Sequence, residues 1–368
     1  MEDMVAVNTD HLFNLTDSIG IYQHSRYSVP DPKHGYTTDD NARALIVAVA
    51  LYEIYRKKEY LELIYRYTSF LLHAQNDSGR FRNFMDCERN FIDKEGTEDC
   101  FGRTIWAIGY TLAGESIPSG VKNACGHMMA KALPNVLDLK YIRGMAYTLI
   151  GLSYVSSYAQ KNVFGGGDDG TSDVPWINRW DIKGLMRTLA DRLVAKYKDN
   201  RENGWYWYED MLTYGNSMLP WALFEAYKEI QNKEYLDVAQ ESLKFLEDIY
   251  FRNGYFKPIG CKGWFIKGDK PADFDEQPIE AGETALMYFS AFKLLGDSYY
   301  LDRGLQTFNW YHGENSLRVK LIDQDTGGCY DGITQKGLNL NEGAESLVSY
   351  LMTALERNRM STLFLKGN

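Results

Sequence analysis

Apolar residues fall along this chain in two patterns that alternate. In one, hydrophobic positions run almost without a break: "DDNARALIVAVAL" from residue 39, "EDCFGRTIWAIGYTL" from 98, "YIRGMAYTLIGLSYV" from 141, "YGNSMLPWALFEAY" from 214, "QPIEAGETALMYFSAF" from 277 and "NEGAESLVSYLMTAL" from 341. In the other they return at i, i+3 and i+4 with charges between, as in residues 59–75, 183–197 and 234–250, with "HLFNLTDSIGIYQ" from residue 11 as a further case. Helices that are apolar nearly all round belong in an interior, and those with one charged face belong outside. Six outer–inner hairpins follow. Asp40, Asp99, Arg143, Asn216, Glu280 and Glu342 mark matching positions on the inner members, 44 to 73 residues apart. Hairpins of this kind bury a core only by stacking on neighbours, and six close into a ring. The expectation is an all-α (α/α)6 toroid, one domain over residues 1–368.

Inner helices of such a ring run parallel, so their starts open on one face. The acids, amides and glycines that precede the apolar runs therefore converge on a mouth. Loops 76–91, 202–210, 253–265 and 326–332 carry glycine and aromatics and feed that mouth, some of them as short strand pairs. Part of the acid content is expected to be capping, because Thr37, Thr38, Asp39 and Asp40 suit a helix start. The motifs "TTDDN", "TED", "DEQPIE" and "NLNEGAE" nevertheless hold more acids than caps need. Arg43 and Arg103 lie four residues after Asp39 and Asp99, which suggests i,i+4 ion pairs.

Composition narrows the partners. Acids outnumber bases 50 to 40, a net charge of −10, which argues against nucleic acid or an anionic membrane as the main partner. No apolar run approaches the ~20 residues of a bilayer span. Five cysteines without a CxxC pair argue against a disulfide framework or zinc site, so no metal and no cofactor is expected. "GGGDDG" at 165–170 lacks the residues of a phosphate or calcium loop and reads as a linker. With no charged-then-apolar-then-small pattern at the start, cytoplasmic is the default location.

"HGYTTDDNARAL", "FRNFMDCERNF…GTEDCFGRTIWAIG", "WYEDMLTYGNSMLPWAL", "FDEQPIEAGETAL" and "TGGCYDG…LNLNEGAESLVSYL" together resemble the six-hairpin glycosidase-like proteins, found alone or fused to glycosyltransferase domains. The resemblance runs from about residue 34 to 355. Cys87 stands where the pattern often has Tyr, and Gly215 where it often has Asp. The resemblance implies carbohydrate chemistry and association with a glycosyltransferase.

An acidic, aromatic-lined mouth suits a neutral polyol, and glycoside hydrolysis needs one protonated and one ionised carboxyl. A helix N-terminus keeps a carboxylate ionised, which favours Asp40 or Asp99 as base. A drier place beside aromatics favours Glu209, Asp210 or Glu276 as proton donor. Substrate contacts are expected from His34, Tyr36, Asp39, Arg43, Glu98, Arg103, Trp205, Trp207, Tyr214, Asn216, Gln277, Glu280, Asp331, Asn341 and Glu342, with Tyr206, Tyr208 and Trp264 in the same aromatic loops. The reading is an inverting glycoside hydrolase on an oligosaccharide, inversion being what the fold resemblance implies. A non-catalytic glycan-binding module, an epimerase and a lyase are the alternatives.

Overall fold

A computed structural model describes residues 5–164 and 176–367; the segment 165–170 lies outside them. Twelve α-helices occur among the described residues. Six form the inner ring: α2 (Thr38–Tyr55), α4 (Glu98–Ala113), α6 (Ile142–Phe164), α8 (Met218–Ile230), α10 (Pro278–Leu295) and α12 (Ala344–Gly367). Each packs on the next, and α12 packs on α2 to close the circle. Outside lie α3 (Lys58–Ala74), α5 (Ser119–Ala132), α7 (Ile182–Asn200), α9 (Lys233–Tyr250) and α11 (Ser298–Phe308), each against the inner helix before it or after it. The (α/α)6 toroid is thus the observed fold.

The two sequence patterns have the expected burial. Every residue of α10 from Pro278 to Ala291 is buried, as is every residue of α2 from Asp40 to Leu51. In α9 the buried side is Tyr235, Val238, Ala239, Ser242, Leu246, Ile249 and neighbours, a stripe at helical spacing. The sixth outer position departs from expectation. Only α1 (Asp10–Asn14) is helical there, because the chain turns at Asp17, whose carboxylate accepts from the N–H groups of Ile19 and Gly20 at 2.8 and 3.2 Å. Asn41 of α2 then takes the Ile21 N–H at 3.0 Å and fixes the chain against the ring.

One joint of the ring is built from backbone. Gly102 and Gly109 of α4 face Gly144 and Gly151 of α6 so closely that a Cβ on Gly102 or Gly109 would lie 2.6 or 2.3 Å from the opposing carbonyl oxygen. Side chains beside these glycines, Arg103 and Tyr147 among them, are brought together as a result.

Candidate active site

Threonines, not aspartates, cap the first two inner helices. Thr37 Oγ1 accepts from the Asp40 N–H at 3.1 Å and Thr97 from the Cys100 N–H at 3.2 Å. The acids of these first turns are therefore released from capping. Asp40, 4% exposed, takes Thr37 Oγ1 at 2.6 Å and Arg43 Nη2 at 2.8 Å. Burial outweighs Arg43 and pushes its pKa up to about 6.

Arg43 and Arg103 do not make the i,i+4 pairs their spacing suggests. Arg43 Nη2 reaches Asp40 and, at 3.1 Å, Glu345 of α12; its Nε donates to the Asp39 carbonyl. Arg103 crosses from α4 to Asp39 of α2 at 3.4 Å and donates to the Tyr147 hydroxyl at 3.0 Å, which in turn donates to Glu283 Oε1 at 2.7 Å. Arg43 thus bridges its own first turn and that of α12, whereas Arg103 reaches the first turn of its neighbour α2. Asp39 is also held by Asn83 Nδ2 at 3.0 Å. Asn83 reaches it because Phe84–Met85 pair with Tyr36–Thr37 as a short antiparallel ladder, and Asp93 takes the N–H groups of Asn83 and Phe84.

Thr37, Asp39, Asp40, Arg43, Asn83 and Arg103 line a cleft of about 350 Å³ together with His24, Gln277, Asp331, Glu345 and Ser346. Asp331 Oδ1 accepts from the Gly343 N–H at 2.9 Å and Ser346 Oγ at 2.8 Å, bracing the start of α12. Burial, aided by the charge of Glu345, leaves the Asp331 carboxyl above its usual range despite those two bonds. Burial acts on Glu345 too, but Arg43 and Arg103 outweigh it and hold Glu345 below the usual carboxylate range. Two neighbouring carboxyls of opposite tendency thus share one wall.

The floor is polar and incompletely paired. Asp39 Oδ1, Arg43 Nη1 and Arg103 Nε are buried without a hydrogen-bond partner, and so, one layer beneath, is Glu283 Oε2. Burial raises Glu283 to about 6; it raises Glu280, with repulsion from Glu283, to about 8. Glu280 accepts from the Gly215 N–H at 2.6 Å. Gly215 has φ +59° there, with Tyr147 Oη 3.1 Å from where a Cβ would stand, which accounts for glycine at this position.

A second group, which includes the expected Asp99 and Glu209, is not part of that lining. Tyr214 donates to Asp99 Oδ2 at 2.8 Å, its ring lies over Arg143 at 4.9 Å, and Trp264 packs beside it at 6.4 Å between centroids. Arg143 holds Glu209 at 2.8 Å.

Several expected site residues lie elsewhere. Trp205 and Trp207, 4% and 0% exposed, are inserted against Phe245 of α9, and Tyr208 is buried with them. Asp210 is an exposed rim residue 3.7 Å from Lys267. Glu276 is fully buried and sealed by Trp310 Nε1 at 3.0 Å and by Ser316 Oγ. Glu342 turns away to Thr326 at 3.0 Å and His11 at 3.7 Å. Glu98 accepts from the N–H groups of Lys140 and Tyr141, both at 2.8 Å, and so braces the entry to α6. Tyr36 donates to Asp17 at 2.7 Å behind the cleft. Asn216 is buried, taking the Thr213 N–H at 3.2 Å, and Asn341 Oδ1 takes the Tyr27 N–H at 3.0 Å. His34 pairs with Asp31 at 3.7 Å and meets His24 edge to face, outside the cleft lining. His24, Asn83, Tyr147, Glu283, Glu345 and Ser346 were not singled out by sequence reasoning. Glu345 had a signal, since it stands in the first turn of α12 whereas Glu342 precedes it. Among the described residues no group of three or more His, Cys, Asp or Glu is placed to hold a metal.

No family model and no curated protein matches the chain. Solved structures do. Cellobiose 2-epimerase from Bacillus thermoamylovorans superposes with a TM-score of 0.72 at 13% identity, over 96% of both chains. A D-mannose isomerase gives 0.69 at 11% identity, over 96% of this chain and 95% of that one. An α-mannanase of family GH76 from Bacteroides thetaiotaomicron gives 0.62 at 12% identity, over 96% and 93%. At such identities the likeness establishes the toroid and nothing finer.

Proposed function

We propose that this chain is a carbohydrate-active enzyme, a glycoside hydrolase acting on a neutral oligosaccharide whose end enters the 350 Å³ cleft. The observation that carries the reading is the floor: Arg43 Nη1 and Arg103 Nε are buried without a hydrogen-bond partner, and Asp39 Oδ1 has only a 3.4 Å ion pair with Arg103, so beneath a polar opening these atoms match the hydroxyls of a sugar ring. A dry polar atom is costly, so such atoms mark a place that a ligand completes.

Glu345 and Asp331 fit the two roles hydrolysis requires. Held ionised by Arg43 and Arg103, Glu345 takes the proton of an attacking water. Asp331, raised by burial and by the neighbouring charge, gives a proton to the departing oxygen through Oδ2, Oδ1 being committed to α12. Direct attack of that water inverts the anomeric centre. Asp39, Arg103 and Asn83 grip hydroxyls; Tyr214 and Trp264 offer ring faces to the following sugar.

Epimerisation at the carbon beside the anomeric centre is the second reading, favoured by His24 in the cleft wall and by the epimerase among the similar folds. One assay separates the two. Manno-, gluco- and galacto-oligosaccharides are incubated with the protein and followed by proton NMR. Hydrolysis releases new reducing ends in one anomeric form; epimerisation changes the sugar at constant chain length. Binding without either reaction across the panel sinks the enzyme reading in favour of a glycan-binding module, the form in which association with a glycosyltransferase becomes the natural role.

A further inference from the structure

A second cavity lies beyond the waist of the ring, at the C-terminal ends of the inner helices. Trp106 of α4 and Trp221 of α8 meet edge to face at 5.3 Å in its wall, and neither lines the mouth cleft. Past them is a throat of about 40 Å³, and beside it a surface hollow of about 230 Å³; Tyr110, Tyr154 and Arg359 line both.

Among the described residues, one buried polar atom of these walls has no hydrogen-bond partner. Trp221 Nε1 donates to Glu225 at 3.2 Å, Ser290 donates to the same carboxylate at 2.7 Å, and Lys293 and Arg359 sit on Glu356 at 2.7 and 3.5 Å. Trp106, only 3% exposed, lines the throat with its Nε1 buried and no acceptor among the described residues. Two adjacent indoles in the same wall therefore differ: one is satisfied by the protein, the other waits for an oxygen. Tyr110 and Tyr154 stand edge to face at 5.2 Å above it; Lys293 and Arg359 balance Glu225 and Glu356 in the throat, and the two acids of the hollow, Glu53 and Glu115, pair with Arg56 at 2.9 Å and Lys161 at 2.8 Å.

We infer that this is a second saccharide-binding site, opposite the mouth. A hydroxyl fits the throat and accepts from Trp106 Nε1. The sugar ring lies in the hollow against Tyr110 and Tyr154, and its other hydroxyls meet the ionic rim, whose balanced charge suits a neutral ligand rather than an ion. That the occupant is a saccharide rests on the reading given for the mouth; the unpaired donor and its cavity do not.

The test is a titration of the 15N-labelled chain with the same oligosaccharide panel, observed at the tryptophan indole N–H signals, with Trp106 assigned through Trp106→Phe. A saturable shift of the Trp106 signal is expected. It persists in Ser346→Phe, which fills the mouth cleft, and its midpoint rises about five- to tenfold in Arg359→Gln, which removes a rim hydrogen bond without touching the waist. If Trp106→Phe does not fold, the wild-type shift and Arg359→Gln still decide. A Trp106 signal that never moves overturns the site. So does a shift abolished by Ser346→Phe and untouched by Arg359→Gln, which places all binding at the mouth and leaves the enzyme reading standing. A shift that behaves as expected in a protein that turns over no sugar keeps the site and removes the hydrolase.

Discussion

The same six helices end twice, and the two ends treat buried acids in opposite ways. At the N-terminal face, Glu345 apart, burial prevails, raising Glu280 to about 8 and Glu283 and Asp40 to about 6, and polar atoms of Asp39, Arg43, Arg103 and Glu283 have no hydrogen-bond partner. At the C-terminal face burial loses. Lys228 with Ser290, and Lys293 with Arg359, hold Glu225 and Glu356 below the usual carboxylate range. Cations there also face the negative ends of the helix dipoles. One end has committed its charges to structure and leaves the buried Trp106 indole as an open donor; the other keeps a set of charges in reserve for a ligand. Helix α12 joins the two, with Glu345 at its first turn and Glu356 further along, each between two cations.

The sharpest way to break this contrast is to neutralise both glutamates. Glu345→Gln is expected to lower turnover by roughly two to four orders of magnitude, the usual worth of general acid–base catalysis, while the melting temperature stays within a few degrees. Unchanged turnover would remove Glu345 from the chemistry. Glu356→Gln leaves the partly exposed Lys293 and Arg359 without their shared carboxylate and should cost about 2 kcal/mol of stability by urea unfolding, between the worth of an exposed and a buried pair. A loss as small as that of an exposed pair would mean the far end is not held by its charges.

Acidity should separate the ends by sign. Glu280 ionises near 4.5 when unfolded and near 8 when folded, so the folded chain keeps a proton the unfolded chain has lost. The stability this represents is complete below pH 4.5 and is lost as pH rises to about 8; Glu283 and Asp40 add a loss that is complete by about 6. Glu225 and Glu356 work the other way, with stability present above about 4.5 and lost on acidification. Urea midpoints at pH 6 and 8 should therefore fall with pH, and Glu280→Gln, which keeps the acceptor for Gly215, should reduce that fall by about 2 kcal/mol. An equal slope in both proteins would place the titration elsewhere. The smallest effect belongs to Asp210→Asn on the exposed rim: stability within about 0.5 kcal/mol and turnover within about twofold. A larger change would make Asp210 part of the mouth after all.

The ring itself was legible because all-round burial leaves its mark on every residue of an inner helix, as in Asp40–Leu51 and Pro278–Ala291. The mouth was legible as a place, since Asp39, Asp40, Arg43, Arg103, Gln277 and Asp331 do line one cleft. Where side chains point was not. Glu342 looks away because His11 and Thr326 are behind it, and Glu276 is sealed by Trp310; such partners come from distant parts of the chain, and no local spacing reveals them. The aromatic run 205–208 misled for a related reason. Alternation reads as a loop offering rings to a ligand, but Phe245 of α9 receives two of them as core.

The glycine seam between α4 and α6 bears on which changes this chain can tolerate. Gly102, Gly109, Gly144 and Gly151 carry no side-chain chemistry and line neither cavity described here, yet a single methyl on Gly102 or Gly109 meets the backbone of α6. A closed ring has no free end to swing aside, so the displacement passes along both helices. It pries Arg103 from the Tyr147 hydroxyl at one height and shifts Trp106 against Trp221 at another. The least replaceable positions of the molecule are then its smallest ones, and a search for tolerated variation should spare them before it spares the acids they position.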